Sequence, residues 1–406
     1  MTRNDVRFDL SPFLIHFFRK VRYEDADMTF YPDDWGPGAI TEDDHVPPFF
    51  LLRNAIRLNR LWATWSQRKG KRTIHGPDPA VCFTDMPIAA FIEAGEARAA
   101  KDEAMSPIAL VLPKAELLAA GAIPAIYGRS GTRSGPRTGR DGRRTFPEAE
   151  LPPIEQFRYV TLSADGRIDW THEREWRWPF RGTFPEQDGI PSPDGRALPG
   201  LDLEFEGKGV IVQSRSQAER VRHDILVQHD RGTRGSYRFV IVRDDIPSMT
   251  HLREPDGVQE ALRAAAMDLS DLLSMQRSRR NRLISAFGQA IDGVDATRLP
   301  NTGRQDGGCW LWLTDIAHEM TRALVSGNMV HVDQEGRYLI DTQIGRRLSL
   351  ARREELTRRL ADVLLERHEL RATYHSVQGS CDPDAMPNYS KPPLHDRKIY
   401  NYATDG

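Results

Sequence analysis

Short apolar runs separated by polar turns fill the N-terminal part of the chain. The run PFLIHFFR at 12–19 predicts a buried strand, and the apolar residues of 48–65 recur at helical spacing. Asn59, near the end of that predicted helix, tolerates a left-handed backbone. Further strands are predicted at 80–84, 107–112, 157–163, 174–180, 208–214 and 237–243, and further helices at 88–101, 114–120 and 216–225. This interleaving indicates an α+β or α/β domain that ends near residue 250.

The apolar pattern changes after residue 257. Helical spacing predicts helices within 257–292, 310–327 and 350–371, the last with Ser349 as its N-cap. The segment GGCWLWL, which includes Cys309, is interpreted as the buried start of the second helix. Alternating residues around a turn at 334–336 predict one β-hairpin. The pattern favours a mostly helical, winged-helix-like domain that ends in a Pro-rich tail from Gly379.

Length and composition set the domain number and class. A chain of 406 residues exceeds the roughly 100–200 residues of one ordinary domain, so two domains are predicted, at 1–250 and 257–406. The chain has 39% hydrophobic residues, and no stretch approaches the ~18 apolar residues that span a bilayer. The first residues lack the layout of a signal peptide. We therefore expect an α+β protein in the cytoplasm, without a membrane partner.

Charge and cysteine content exclude some classes and leave others open. The net charge of −2 predicts neither a nucleic-acid nor a membrane partner for the chain as a whole. The three cysteines form no CxxC pair and no zinc spacing, so they predict no metal site. The 48 arginines outnumber the eight lysines. Arginine forks suit phosphate groups, although codon bias also explains such an excess.

One segment, 128–153, concentrates arginines among Gly, Ser and Pro and is predicted to be disordered. Flexible arginines suit contacts with phosphates of a nucleic acid or a dinucleotide, and we assign such contacts to Arg137, Arg140, Arg143 and Arg144. The alternative is a solvated surface insertion without a ligand.

Two carboxylates in WTHEREWRW, at 170–178, lie two residues apart. On a strand, Glu173 and Glu175 would share one face, which is costly unless that face lines a wet cleft. The alternative is a structural pairing of these carboxylates with Arg174 or Arg177. Strong motifs such as GxxxxGK[ST], GxGxxG, HExxH and GxSxG are absent from the sequence.

Three segments occur in a fixed order: IHFFR at 15–19, AVCFTDMP at 80–87 and HEREWRW at 172–178. Together with the helix FLLRNAIRLNRLWA, they resemble the ADP-ribosyltransferase superfamily. The nearest likeness is to abortive-infection proteins of the AbiGi type, and a more distant one is to DNA-targeting ADP-ribosyltransferase toxins. The resemblance covers residues 10–245 and implies a split β-sheet domain that uses NAD as a substrate.

The resemblance also implies roles for single residues. His16 would bond the ribose of NAD, with Arg19 of the same segment as a further NAD contact. Phe83 and Thr84 would lie beside the nicotinamide. Glu175 would hold the 2′-hydroxyl of the nicotinamide ribose, and Glu173 would engage the acceptor.

Three functions therefore remain open. The first is transfer of ADP-ribose from NAD to a nucleic-acid or protein acceptor, or NAD hydrolysis, in toxin-type anti-phage defence with an antitoxin or defence partner. Scission of the nicotinamide–ribose bond creates an oxocarbenium-like cation that a carboxylate stabilises. The second is a non-catalytic nucleic-acid-binding module. The third is a nuclease in which Asp85, Glu173 and Glu175 hold Mg²⁺.

Overall fold

A computed structural model describes residues 11–22, 45–68, 71–99, 106–129, 135–140, 142–162, 171–182, 199–247, 255–294 and 306–390. They divide into two compact units. The first contains the described residues up to 268 except 229–232, and the second contains 229–232 and 269–390. Both contain helices and strands, so the chain is a mixed α and β protein. No helix in the described ranges is long and apolar enough to cross a membrane.

The first unit alternates helices with mostly short strands. Its helices are α1 (Pro48–Arg57), α2 (Ile88–Ala99), α3 (Lys114–Ala119), α4 (Pro153–Gln156), α5 (Arg215–Asp230, whose end belongs to the second unit) and α6 (Pro255–Ala264). Its strands are β1 (Phe13–Phe17), β2 (Val21–Arg22), β3 (His45–Val46), β4 (Arg60–Trp62), β5 (Gln67–Arg68), β6 (Lys71–Arg72), β7 (Ala80–Thr84), β8 (Ala109–Pro113), β9 (Ile123–Pro124), β10 (Ile126–Arg129), β11 (Arg137–Thr138), β12 (Arg144–Thr145), β13 (Tyr159–Leu162), β14 (Glu175–Pro179), β15 (Gly200–Asp202), β16 (Lys208–Val212), β17 (Tyr237–Val242) and β18 (Ala266–Asp268).

An eight-stranded sheet organises the described part of this unit, in the order β18-β17-β16-β8-β1-β7-β14-β9. The strands pair antiparallel except β16 and β17, which are parallel. Buried apolar side chains of β1, β8, β16 and β17 pack on α2, where Phe91 is fully buried. The three strands that carry the predicted site residues, β1, β7 and β14, are therefore neighbours.

The register of these three strands decides which side chains share a face. Ile15 pairs with Thr84, and Thr84 pairs with Glu175. Directly opposed residues of antiparallel strands point to the same side of a sheet. Thr84 and Glu175 thus share one face, whereas His16 and Phe83 occupy the other.

The helix predicted at 48–65 ends earlier than expected. Asn59 has a φ of 49°, as the sequence suggested, and this left-handed residue ends α1. The chain then forms β4 instead of further helix, and β4 pairs with β15. Leu61, read above as a helix position, is a buried strand residue.

The prediction of disorder for 128–153 is wrong for the described residues of this segment. β11 and β12 pair as an antiparallel hairpin, and Gly142 supplies the positive φ, 75°, that its turn needs. Phe146 and Leu151 then pack against Tyr159 in a small core. The buried Gln156 amide bonds backbone groups of Phe146 and Leu151. The Gly and Arg content concealed this short ordered hairpin.

The second unit contains α7 (Ser270–Leu273), α8 (Arg277–Asp292), α9 (Glu319–Ser326), α10 (Leu350–His368), β19 (Gly307–Leu313), β20 (His331–Val332), β21 (Tyr338–Ile340), β22 (Ala372–Gln378) and β23 (Asn388–Ser390). Among its described residues, the strands form one five-stranded sheet in the order β20-β21-β19-β22-β23. The prediction of a single hairpin as the only β structure of this domain is therefore wrong, although the predicted hairpin itself is confirmed as β20 and β21.

The error lies mainly in GGCWLWL. A continuous apolar run fits a buried helix and a central strand equally well, and here it forms β19, flanked by β21 and β22. α9 begins only at Glu319, where the His318 side chain accepts a hydrogen bond from the Met320 backbone. Ser349 is the N-cap residue of α10, but its side chain makes no capping bond. The tail after Gly379 contributes β23, which was not predicted.

Candidate active site

A carboxylate–guanidinium pair lies on β14. Arg177 Nε donates to Glu175 Oε1 over 2.7 Å, and Arg177 Nη2 donates to Oε2 over 3.1 Å. Arg177 is buried, and its Nη1 also donates to the Phe157 carbonyl over 2.7 Å. Burial lowers the pKa of Arg177, but Glu175 more than offsets this and raises it. The Glu175 side chain remains 16% exposed, so this oriented carboxylate is partly accessible from solvent.

Cys82 and Arg19 lie next to this pair. Cys82 opposes Arg177 in the register of β7 and β14. Burial, together with the nearby Glu175, raises the pKa of Cys82 to about 12, so the side chain stays a thiol and is a poor nucleophile. Arg19 is close enough to oppose that shift electrostatically, and its Nη2 donates to the Gln67 carbonyl over 2.9 Å. Arg19 is thus a cation beside the Glu175 site.

Tyr127, on β10, completes this group. Its hydroxyl accepts a hydrogen bond from the Glu175 backbone N–H over 2.8 Å. Burial raises the pKa of Tyr127, and the charge of Glu175 adds to that shift. We name Arg19, Cys82, Tyr127, Glu175 and Arg177 the Glu175 cluster. It joins β7 and β14 of the large sheet to the β10–β13 pair.

Glu173 does not share a strand face with Glu175, contrary to the prediction. It ends a 3₁₀ turn, Thr171–Glu173, and the next residue, Arg174, has a φ of 47° that separates the turn from β14. Glu173 accepts from Arg98 Nη1 over 2.8 Å. Its carbonyl accepts from Thr84 Oγ1 over 2.5 Å, so Thr84 fastens this turn to β7.

His16 and Phe83 lie on the opposite face of the sheet from Thr84 and Glu175. The His16 ring contacts the rings of Phe18 and Phe83, with centroids 4.9 and 5.9 Å away. Its Nδ1 donates to the Cys82 carbonyl over 2.8 Å, and desolvation lowers its pKa to about 4. The roles implied for His16, Thr84 and Glu175 require that all three side chains line one cleft. Strand alternation contradicts this, because it separates His16 from Thr84 and Glu175.

The predicted phosphate-binding arginines divide into two kinds. Arg137 and Arg140 are exposed. Arg143 lies over the ring of Trp65 at 4.9 Å, and Arg144 Nη1 donates to the Arg72 carbonyl over 2.7 Å. The segment is therefore packed through Arg143 and Arg144, and only part of it is a solvated insertion.

The carboxylates named for a nuclease do not meet. Asp85 is buried and accepts from Lys114 Nζ over 2.6 Å, whereas Glu173 and Glu175 bind separate arginines. Throughout the described ranges, no three His, Cys, Asp or Glu side chains form a group that could hold a metal ion.

Sequence reasoning missed several residues around Glu175. The spacing of Glu175 and Arg177 on a predicted strand did indicate that they could pair. This pairing was predicted only as the alternative to carboxylates that line a wet cleft. Tyr127 and Arg98 reach the site from remote parts of the chain, and neither carried a local motif. A single sequence does not show such long-range contacts.

Comparison with known proteins adds one match. A family model described as a protein of unknown function, DUF4427, matches residues 278–402, which is less than a third of the chain. The Glu175 cluster lies outside this range. No curated protein and no solved structure is significantly similar to the chain.

Proposed function

We propose that this chain is an NAD-consuming ADP-ribosyltransferase, or an NAD hydrolase, whose first unit is an ADP-ribosyltransferase-like split-sheet domain. One observation carries the proposal. The segments IHFFR, AVCFT and EWRW, chosen from their order in the sequence, form neighbouring strands, with the partly exposed Glu175 directly opposite Thr84. Toxin-type anti-phage defence, with an antitoxin or another defence partner, remains the biological setting that the resemblance implies.

Glu175 supplies the electrostatic part of this chemistry. When the bond between nicotinamide and ribose breaks, nicotinamide leaves with the electron pair and positive charge develops on the ribose. A carboxylate fixed beside that ribose stabilises the charge without reorganising. Arg177 fixes Glu175 through two hydrogen bonds, and Tyr127 holds the Glu175 backbone.

The site differs from the one that the resemblance implied. In this proposal Arg19, whose charge acts on Cys82 beside Glu175, keeps its implied contact with NAD, whereas His16 loses its implied contact with the ribose. A guanidinium suits the negatively charged pyrophosphate of NAD. The neutral, internally bonded His16 acts as a packing residue beneath the site.

The experiment is a measurement of nicotinamide release from NAD by the full chain. We expect turnover with the wild type and a loss of about 10²–10³ in rate with Glu175→Gln. Glu155→Gln is the matched control, because Glu155 also pairs with an arginine of the same unit, Arg158, at a partly exposed position. Absence of release from the wild type with nucleic-acid and protein acceptors present, or equal rates for the two variants, would overturn the proposal.

A further inference from the structure

Two short basic hairpins meet on one tryptophan. The β5–β6 hairpin carries Lys71 and Arg72, and the β11–β12 hairpin carries Arg143. The guanidinium carbons of Arg72 and Arg143 lie 4.5 and 4.9 Å from the Trp65 ring centroid. Trp65 is only 2% exposed, and its indole N–H donates to the Gly76 carbonyl over 3.3 Å. The buried tryptophan therefore holds both hairpins in place.

Hydrogen bonds to backbone carbonyls hold the two hairpins together. Arg144 Nη1 donates to the Arg72 carbonyl over 2.7 Å, and the Gly76 N–H donates to the Arg144 carbonyl over 2.8 Å. A Cβ placed on Gly142 would lie 3.9 Å from Arg72 Nε, so the turn of one hairpin lies against the other. Arg72, Arg143 and Arg144 are thus held in one arrangement.

The surface that they present is strongly basic. Lys71, Arg137 and Arg140 are exposed, and Arg72 and Arg143 are partly exposed. We name these five residues the double-hairpin surface. The nearby carboxylate of Asp78 pairs with another arginine, since its Oδ2 lies 3.7 Å from Arg181 Nε.

This surface borders the Glu175 cluster. Arg19 donates to the Gln67 carbonyl on the β5–β6 hairpin. On the other side, the buried His75 lies within electrostatic range of both Arg144 and Arg177. A polyanion on the β5–β6 hairpin would therefore lie next to Arg19, a residue that the proposed function assigns to NAD.

We propose that the acceptor of ADP-ribose is a nucleic-acid strand whose backbone phosphates bind the double-hairpin surface, an inference that rests on the proposed function. Arginine forks match phosphate oxygens, and several cations on two adjoining hairpins suit a chain of negative charges. Trp65 is too buried to stack on a base, so recognition is by the backbone and independent of base sequence. In the transfer, a base or hydroxyl nucleophile bonds to C1′ of the ribose and loses its proton to water as nicotinamide leaves.

The test measures binding of a fluorescent single-stranded oligonucleotide to the full chain, without NAD, over a range of salt concentrations. The variant Lys71→Ala/Arg137→Ala/Arg140→Ala removes three exposed cations and leaves the Trp65 contacts intact. We expect weaker binding and a log–log salt slope that is shallower by about 2, since each single-strand phosphate contact contributes roughly 0.7. The matched control is Arg215→Ala/Arg234→Ala/Arg238→Ala, which removes three exposed cations elsewhere in the unit and should bind like the wild type.

Each other outcome overturns the proposal. Wild-type binding and slope in the hairpin variant would show that the surface binds no phosphates. If oligonucleotide binding weakened equally in both variants, the effect would come from the net charge of the protein and not from this surface. Displacement of the oligonucleotide by polyglutamate at equal charge concentration would point to an acidic protein instead. Nicotinamide release by the wild type, measured with nucleic-acid and protein acceptors present, separates the two proposals. Its absence would overturn the proposed function and the acceptor inference that rests on it. Release by the wild type together with wild-type oligonucleotide binding by the hairpin variant would overturn the acceptor inference alone.

Discussion

Two buried arginines of the first unit each hold a carboxylate in a two-bond fork, yet the two pairs differ in exposure. Arg53 Nε and Nη2 donate to the Asp224 carboxylate over 2.6 and 3.1 Å, which nearly matches the Arg177–Glu175 geometry. The Asp224 side chain is fully buried, whereas that of Glu175 is 16% exposed. The first pair connects α1 to α5, and the second lies at the end of a strand beside Tyr127 and Arg19.

The comparison shows that an ion pair does not reveal its role by geometry alone. In a sealed pair such as Arg53–Asp224, each partner contributes to stability because it neutralises a charge that would otherwise be uncompensated in the core. A pair with one open carboxylate edge also offers that charge to a ligand. Exposure and neighbours, more than the pairing itself, therefore separate a structural carboxylate from a candidate catalytic one.

The largest effect on stability is expected at the sealed pair. Asp224→Asn leaves Arg53 buried without its counter-charge and should lower the free energy of unfolding by about 3–5 kcal/mol. Urea unfolding measures this change. Asp202→Asn is the control, because Asp202 pairs with Arg60 at an exposed position and its loss should cost no more than about 1 kcal/mol. Similar losses for both variants would remove the distinction between sealed and open pairs.

The open pair, Arg177–Glu175, has a titratable neighbour, His75. This histidine predicts that the stability of the protein depends on pH. Burial, then the charge of Arg144, lowers the pKa of His75 from its usual 6.5 to about 4. The folded protein therefore binds this proton more weakly than the unfolded chain does, and stability falls as the pH drops from about 6.5 towards 4. The His75 contribution is at most roughly 3 kcal/mol.

Unfolding free energies of His75→Gln measured across this pH range should show a shallower slope than the wild type. His331→Gln, at an exposed position, should keep the wild-type slope. Part of the slope should remain in His75→Gln, because His16 is unchanged in this variant and its pKa is also lowered to about 4. A wild-type slope in His75→Gln would mean that this histidine is not held neutral near Arg177.

The smallest effect is expected from the packed and exposed arginines of the β11–β12 hairpin. Arg143→Ala removes the contact with Trp65 and should lower stability by about 1 kcal/mol, whereas Arg140→Ala should change it by less than about 0.5 kcal/mol. Thermal unfolding of the two variants measures the difference. Equal melting temperatures would show that the Trp65 contact does not stabilise the hairpins.

Local patterns predicted most of the first unit. Apolar runs such as 80–84 and 237–243 became strands because their burial in one sheet agrees with their composition. The same reasoning misjudged GGCWLWL, because an apolar run carries no period that separates a strand between two neighbours from a buried helix.

The site was predicted only in part, for a related reason. Strand order and register depend on long-range pairing, so the sequence indicated β1, β7 and β14 but not which residues share a face. Alternation then set His16 and Phe83 apart from Glu175, and a single left-handed residue, Arg174, removed Glu173 from the strand. Tyr127 arrives through the β10–β13 pairing, which no local pattern signals.

The most direct measurement is the rate of nicotinamide release per folded molecule of Glu175→Gln, with the melting temperature taken on the same sample. The substitution keeps the shape of the side chain and removes its charge, so the Arg177 fork weakens and some loss of stability is expected. We predict that the rate, measured well below the melting temperature, falls about 10²–10³-fold, far more than any change in the folded fraction. A full rate per folded molecule together with a lower melting temperature would make Glu175 a structural partner of Arg177, as Asp224 is of Arg53, and would contradict the catalytic assignment.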